Sequence, residues 1–205
     1  MKNIIKTSAV AALLLSASSC SDNKEASENA SLDRGEVAIE NIMTRSSVRQ
    51  YTNQPISDDT VKILLKAAMA APTAVNSQPW TFVVLKDMDK RQKLAEALPN
   101  AGDKLTSSAV NIIVCGNTQK MLEREPSYWI QDCSAATENL LLAANALGLG
   151  AVWCGIYPSE ERVRTLSETV GLDSNLIPLC IIPVGHPSGE PQIKYKWKEE
   201  NIIFM

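Results

Sequence analysis

The stretch from Tyr128 to Leu147 limits the possible folds of this chain more than any other. Cys133, Ala136, Leu140, Ala143, Ala144 and Leu147 recur at helical spacing in a wide apolar stripe, and Gly148 and Gly150 end it. A helix that long and that apolar predicts a central, well-buried element. Around it stand apolar runs that read as strands: W-T-F-V-V-L (80–85), A-V-N-I-I-V-C (109–115), A-V-W-C (151–154) and I-P-L-C-I-I-P-V (177–184). Further helices are predicted from Glu36, with Val37, Ile39, Ile42 and Met43 at near-helical spacing, and over 86–98. Ser57 is an N-cap for a helix with Asp58 and Asp59 in its first turn and Pro72 at its close, and Ser159 caps another over 158–170. Strands alternating with helices through mixed connections point to an α+β or α/β sandwich.

Length and charge narrow the function classes. With 205 residues, 45% of them hydrophobic, the chain is sized for one domain with a real core. A formal charge of -3 leaves no broad basic footprint, so nucleic acid is not an expected partner, and any anion must be met by a local cluster. Residues 1–20 place Lys2 and Lys6 ahead of an uncharged stretch, shorter than the roughly 20 apolar residues of a membrane span. They read as an export signal, and Leu13-Leu14-Leu15 before Ser18-Ser19-Cys20 resembles a bacterial lipoprotein signal that would anchor the chain to a membrane through a lipid on Cys20. Ala17 departs from that pattern, and ordinary signal cleavage is the alternative. Residues 21–35 are polar and without aromatics, a flexible tether ahead of a domain over 36–205. Cys115, Cys133, Cys154 and Cys180 have no close metal-ligand spacing, and read as small buried hydrophobes rather than a disulfide framework.

The inventory of reactive groups closes several chemistries. His186 is the only histidine, too few for a multi-histidine zinc site, and its V-G-H-P setting reads as a turn after a strand. Neither a G-x-x-x-x-G-K-[ST] nor a strand-borne G-x-G-x-x-G occurs. What remains is anion-competent and amide-rich. Within T-R-S-S-V-R-Q-Y (44–51), Arg45 and Arg49 offer charge-assisted donors and Ser46 and Ser47 add hydroxyls, although such a stretch also suits a solvated turn. P-T-A-V-N-S-Q-P-W (72–80) sets Thr73, Asn76, Ser77 and Gln78 between two prolines, which an ordinary helix-to-strand connection would also do. Lys194 and Lys196 flank Tyr195 as a second cationic arm or a solvated tail. The apolar end N-I-I-F-M is expected to pair with its own sheet or another subunit's.

Taken in order, T-R-S-S-V-R-Q-Y, A-A-P-T-A-V-N-S-Q-P-W-T-F-V-V, N-L-L-L-A-A-N-A-L-G-L-G-A-V-W-C-G-I-Y-P, V-G-H-P and K-Y-K resemble the nitroreductase family of FMN-dependent oxidoreductases over roughly residues 36–205. That resemblance implies an α+β sandwich, a central mixed sheet flanked by helices, in an intertwined homodimer with two flavins at its interface. It implies that Arg45, Ser46, Ser47 and Arg49 hold the FMN phosphate and part of the ring, with Lys194 and Lys196 closing over the same phosphate. Pro72, Thr73, Ala74, Asn76 and Gln78 would come from the other subunit. Val152, Trp153, Cys154 and Gly155 would run along the flavin edge, with Cys154 where some members carry an acid. The implied activity is hydride transfer from NADH or NADPH through FMN to a nitroaromatic, quinone or similar small-molecule acceptor, without a protein nucleophile or metal. The alternatives are a dehalogenase or a flavin-consuming enzyme on the same scaffold and, in another class, an exported lipoprotein that binds flavin without turnover. NAD(P)H is a cytoplasmic currency, so this activity pulls against the export signal.

Overall fold

The computed structural model describes residues 33–205; the expected signal and most of the tether lie outside them. Asp33 caps the first helix, α1 (Arg34–Thr44), by accepting from the Gly35 N–H. The helix therefore starts inside the stretch expected as tether, because an aspartate at the N-cap satisfies a donor that would otherwise be left to water. Ser57 accepts from Thr60 N at the start of α2 (Asp58–Met69), and Ser159 from Arg162 N at the start of α6 (Glu160–Val170), as their sequence positions predict.

Between these lie β1 (Trp80–Leu85), α3 (Met88–Ala97), α4 (Gly102–Ser107), β2 (Val110–Asn117), α5 (Tyr128–Ala146), the two-residue strands β3 (Gly150–Ala151) and β4 (Cys154–Gly155), and β5 (Leu176–Gly185). The sheet runs β1-β2-β5-β3, with β4 also on β5, and every ladder is antiparallel. The sheet expected to be mixed is therefore antiparallel; among the described residues the one parallel contact is an isolated bridge of Ser47, which belongs to no strand, with Ala151. The strand expected over 151–154 is split. Its register against β5 holds across the gap, from Gly150 opposite Gly185 to Gly155 opposite Cys180, which puts Pro183 opposite the break. A proline has no N–H for the ladder.

One core lies against α2 and α5, with Leu64, Ile112, Val114, Leu140 and Ile182 fully enclosed. A second lies against α3, α4 and α6, with Leu94, Leu105, Ile113, Leu166 and Ile181. Alternate residues of β2 thus feed opposite cores, which is why this strand reads as an unbroken apolar run. Helix α5 is the buried central helix its stripe predicts, enclosing eight residues including Cys133, Ala136, Leu140 and Ala144. The terminal stretch behaves otherwise. Residues 191–205 form no strand with the chain's own sheet, and Trp197, Ile203 and Phe204 are exposed.

Residues 45–52 cross the β3–β5 edge as a strap, and two glycines set its height. A side-chain carbon on Gly150 would fall 2.5 Å from a Val48 methyl, and one on Gly185 2.8 Å from the Tyr51 ring. We expect Gly150→Ala to lose about 1–3 kcal/mol of unfolding free energy through overpacking. Gly189→Ala, where nothing lies within 4 Å, is the control; urea denaturation compares the two.

Candidate functional site

The strap is held by main-chain bonds at both ends. Val48 N donates to Ala151 O at 3.0 Å, Thr52 N to His186 O at 2.8 Å, and Ser188 N to Gln50 O at 3.1 Å. The Tyr51 hydroxyl shares its one proton between Val48 O (2.7 Å) and Pro183 O (3.1 Å). Burial of this phenol pushes its pKa well up, so it stays a donor through the physiological range. At the other end α1 is stitched to one face of α5. Asn41 Nδ2 donates to Leu142 O (3.0 Å), Asn145 Nδ2 to Asn41 Oδ1 (2.9 Å), and Arg45 Nε pairs with Glu138 Oε1 at 3.0 Å. Glu138, Leu142 and Asn145 lie one helical turn apart in sequence, so they face α1 together. Arg45 is thereby oriented through Nε, and its remaining guanidinium nitrogens are left for another acceptor.

Of the clefts that open on the strap, two gather the residues singled out in the sequence. The first, about 530 Å³, is lined by Arg45, Ser46, Ser47 and Arg49 from the strap and by Lys194 and Lys196 from the tail. Both cationic clusters singled out in the sequence therefore share one hollow, with Glu190 as its only acid. The Ser46 hydroxyl is buried and has no hydrogen-bond partner, an unmet polar group of the kind that folded proteins pair with protein, water or ligand. The second cleft, about 450 Å³, is lined by Val152, Trp153, Cys154 and Gly155, with Arg49 common to both.

Sequence reasoning missed two cations of the second cleft, Lys104 and Arg162. Lys104 rides on α4, a six-residue helix too short to show a periodicity. Arg91 fixes that helix. The residue is 3% exposed, and its guanidinium donates to Leu105 O at 2.8 Å and reaches Ser108 O, closing the carbonyl end of α4. Desolvation lowers the pKa of this unpaired cation from its ordinary value.

Pro72, Thr73, Ala74, Asn76 and Gln78 line neither cleft of this chain. Their loop has an unusual backbone: Val75, Asn76 and Gln78 have φ of 46°, 59° and 48°, left-handed values that cost side-chain-bearing residues energy. It is held by Asp132 Oδ1, which accepts from Ala74 N at 2.9 Å, and by Thr73 Oγ1, which accepts from Gln78 N at 3.2 Å. Gln78 Nε2 donates to Asn76 Oδ1 at 3.0 Å, so the amide side chains brace each other.

Among the described residues the four cysteines are free. Burial pushes the Cys115 and Cys133 thiols up to about 12 and Cys180 higher still. Cys154 is also raised by burial, but Lys104 and Arg49 pull it back. Among the described residues no group of three or more His, Cys, Asp or Glu could hold a metal.

A family model described as Nitroreductase family matches residues 42–186. The chain belongs to the nitroreductase family. A protein of Archaeoglobus fulgidus assigned as an NADH dehydrogenase/NAD(P)H nitroreductase is 43% identical over 155 residues, 76% of this nitroreductase and 88% of that chain. A crystal structure of a protein assigned the same way, from Bacteroides thetaiotaomicron, superposes with a TM-score of 0.76 at 41% identity, covering 82% of this chain and 96% of the other. A Desulfovibrio desulfuricans nitroreductase in complex with FMN superposes with a TM-score of 0.71 at 29% identity, over 82% and 96% of the two chains.

We expect iodoacetamide at neutral pH to alkylate Cys154 ahead of Cys115, Cys133 and Cys180 in the native protein, because its thiol is half-exposed and faces two cations. Peptide mass spectrometry reads the order.

Proposed function

We propose that this nitroreductase is an FMN-dependent NAD(P)H oxidoreductase whose first cleft holds the FMN phosphate and whose second takes the ring and, in turn, donor and acceptor. The observation that carries the reading is the meeting of Arg45, Arg49, Lys194 and Lys196 in one cleft of a net-negative chain, beside an unpartnered Ser46 hydroxyl. A phosphate dianion needs cations and hydroxyl donors together, and this set supplies both. The FMN of the Desulfovibrio relative and the NAD(P)H in the name of the Archaeoglobus relative support the same reading.

FMN, held at its phosphate by Arg45, Arg49, Lys194 and Lys196, would supply hydride chemistry between NAD(P)H and a nitroaromatic, quinone or similar acceptor, in ping-pong order. The chain's own part is to bind, orient and polarise. Arg45, fixed through Glu138, presents its free nitrogens to the phosphate. Arg49 and Lys104 place positive charge along the second cleft, where negative charge on a reduced ring would be stabilised. Cys154 and Gly155 line its edge, and Val152 and Trp153 form part of its wall. No step asks for a protein nucleophile, which suits a chain with one histidine whose main-chain oxygen is spent on the strap.

The homodimer belongs to this proposal. Val37, Ile39, Ile42 and Met43 of α1 and Ile203 and Phe204 of the tail are exposed apolar residues, a surface that a second copy would cover. That copy would also bring the strained 72–78 loop to the flavin. We further propose export and lipid anchoring at Cys20. Mass spectrometry should then find a diacylglyceryl-modified Cys20 at the mature N-terminus; an intact Met1 would overturn the export reading.

Freshly purified protein should carry the absorbance of bound FMN, sediment as a dimer, and be bleached by NADH or NADPH in anaerobic stopped-flow. A flavin that stays oxidised would mark a binder without turnover, and a colourless protein that takes up no FMN would end the proposal. Arg45→Ala should weaken FMN retention roughly tenfold or more, the effect of one charge-assisted contact, whereas His186→Ala should change it far less.

A further inference from the structure

The second cleft carries more positive charge than its neighbours neutralise. Arg49, Lys104 and Arg162 line it against one acid, Glu161. Among the described residues the ion pairs are Arg45 with Glu138, Lys62 with Asp59 and Lys86 with Asp58, so none of these three cations is paired. Each leans only on main-chain carbonyls: Arg49 Nη1 on Ser47 O at 3.2 Å, Lys104 Nζ on Asn100 O at 2.6 Å, and Arg162 Nη1 on Gly155 O at 3.4 Å.

Arg162 stands apart from the other two. Arg49 and Lys104 also border a common third hollow beside Tyr51, which Arg162 does not reach. Arg162 occupies the first turn of α6, where the helix dipole disfavours a cation and Glu160 and Glu161 already give the stabilising charge. Helix stability therefore offers no reason for an arginine there. Its guanidinium and the Ser159-capped amide end of α6 instead add up at the rim of the cleft, above the Gly155 carbonyl. Leu98, Pro99, Trp153 and Ile156 supply apolar lining to the same cleft. A pocket with apolar walls and a cationic end suits a planar molecule with one anionic substituent.

We propose that Arg162 is a specificity residue, and that the electron acceptor is a planar aromatic or quinone carrying a carboxylate or sulfonate that Arg162 meets at the rim. The inference rests on the oxidoreductase reading above and goes beyond it by naming the acceptor's charge. Glu161 opposes an anion in the same cleft, so its removal should sharpen the preference.

The test pairs 4-nitrobenzoate with 4-nitrobenzamide, which match in size and differ in charge, on the FMN-loaded full chain with NADH as donor. Wild-type protein should favour the benzoate, and the ratio of the two kcat/KM values should fall about tenfold in Arg162→Gln. Arg162→Lys should restore part of it and Glu161→Gln should raise it. The wild-type preference should shrink with added salt, as a partly exposed charge contact does. Equilibrium binding of each compound to the oxidised holoprotein, followed by the flavin absorbance, should show the same loss. A ratio that Arg162→Gln leaves unmoved overturns the inference, as does an Arg162→Gln effect confined to the KM for NADH, which would assign the guanidinium to the donor's pyrophosphate. FMN content and the rate of reduction by NADH, recorded on the same samples, separate the two levels: a protein that binds and reduces FMN yet ignores acceptor charge refutes this inference alone, and one that binds no FMN refutes the parent reading as well.

Discussion

The close approach of the 45–52 strap to the edge of the sheet is the constraint on which the site depends. Val48 sits where a Gly150 side chain would be, and Tyr51 where one on Gly185 would be. Because both glycines lack that carbon, the strap lies low enough for Val48 N to reach Ala151 O and for the Tyr51 hydroxyl to reach Pro183 O. Those bonds fix the direction of Arg45 and Arg49, and with them the floor of one cleft and the shared wall of two. A strap raised by even an ångström would keep its charges and lose their convergence.

Around that contact the chain divides its labour between rigid and strained parts. The Asn41–Asn145 and Arg45–Glu138 links fasten α1 to the buried central helix, so the cation that heads the first cleft is borne by the best-packed element of the fold. Arg91 does the equivalent for α4 and Lys104 from the opposite side of the sheet. The 72–78 loop carries its strain in three left-handed residues, bonded by Asp132 to the same central helix, and a second Asp132 oxygen is left buried without a partner. Strain of that kind persists only where surrounding structure determines it.

Much of the fold was legible because its signals are local. Ser57 and Ser159 cap helices where their hydroxyls, first-turn acids and following apolar residues predict, and α5 encloses Cys133, Ala136, Leu140 and Ala144 of its stripe, while Ala143 is partly buried and Leu147, at the helix end, is exposed. Departures have equally local causes that sequence reading weighs poorly. Asp33 begins α1 early, Pro183 on the facing strand breaks 151–154 into two short pieces, and α4 has too few residues to show a pattern. The strap and tail cations could each be singled out from type and spacing. Lys104 and Arg162 could not, since each is one charged residue among several on an ordinary helix, and nothing nearby in the chain marks it.

By itself the sequence determined most of the segments that would be helix or strand and which groups were available: four basic residues in two clusters, an amide-bearing loop, and one histidine. Capping, periodicity and composition act over a few residues, so one chain suffices to read them. Tertiary structure alone decided that strap and tail cations share a cleft, that Arg49 joins it to the next, and that Arg162 faces the rim. Those are distances between side chains far apart in sequence, set by the order of strands on β5 and by how closely two glycines let the strap come.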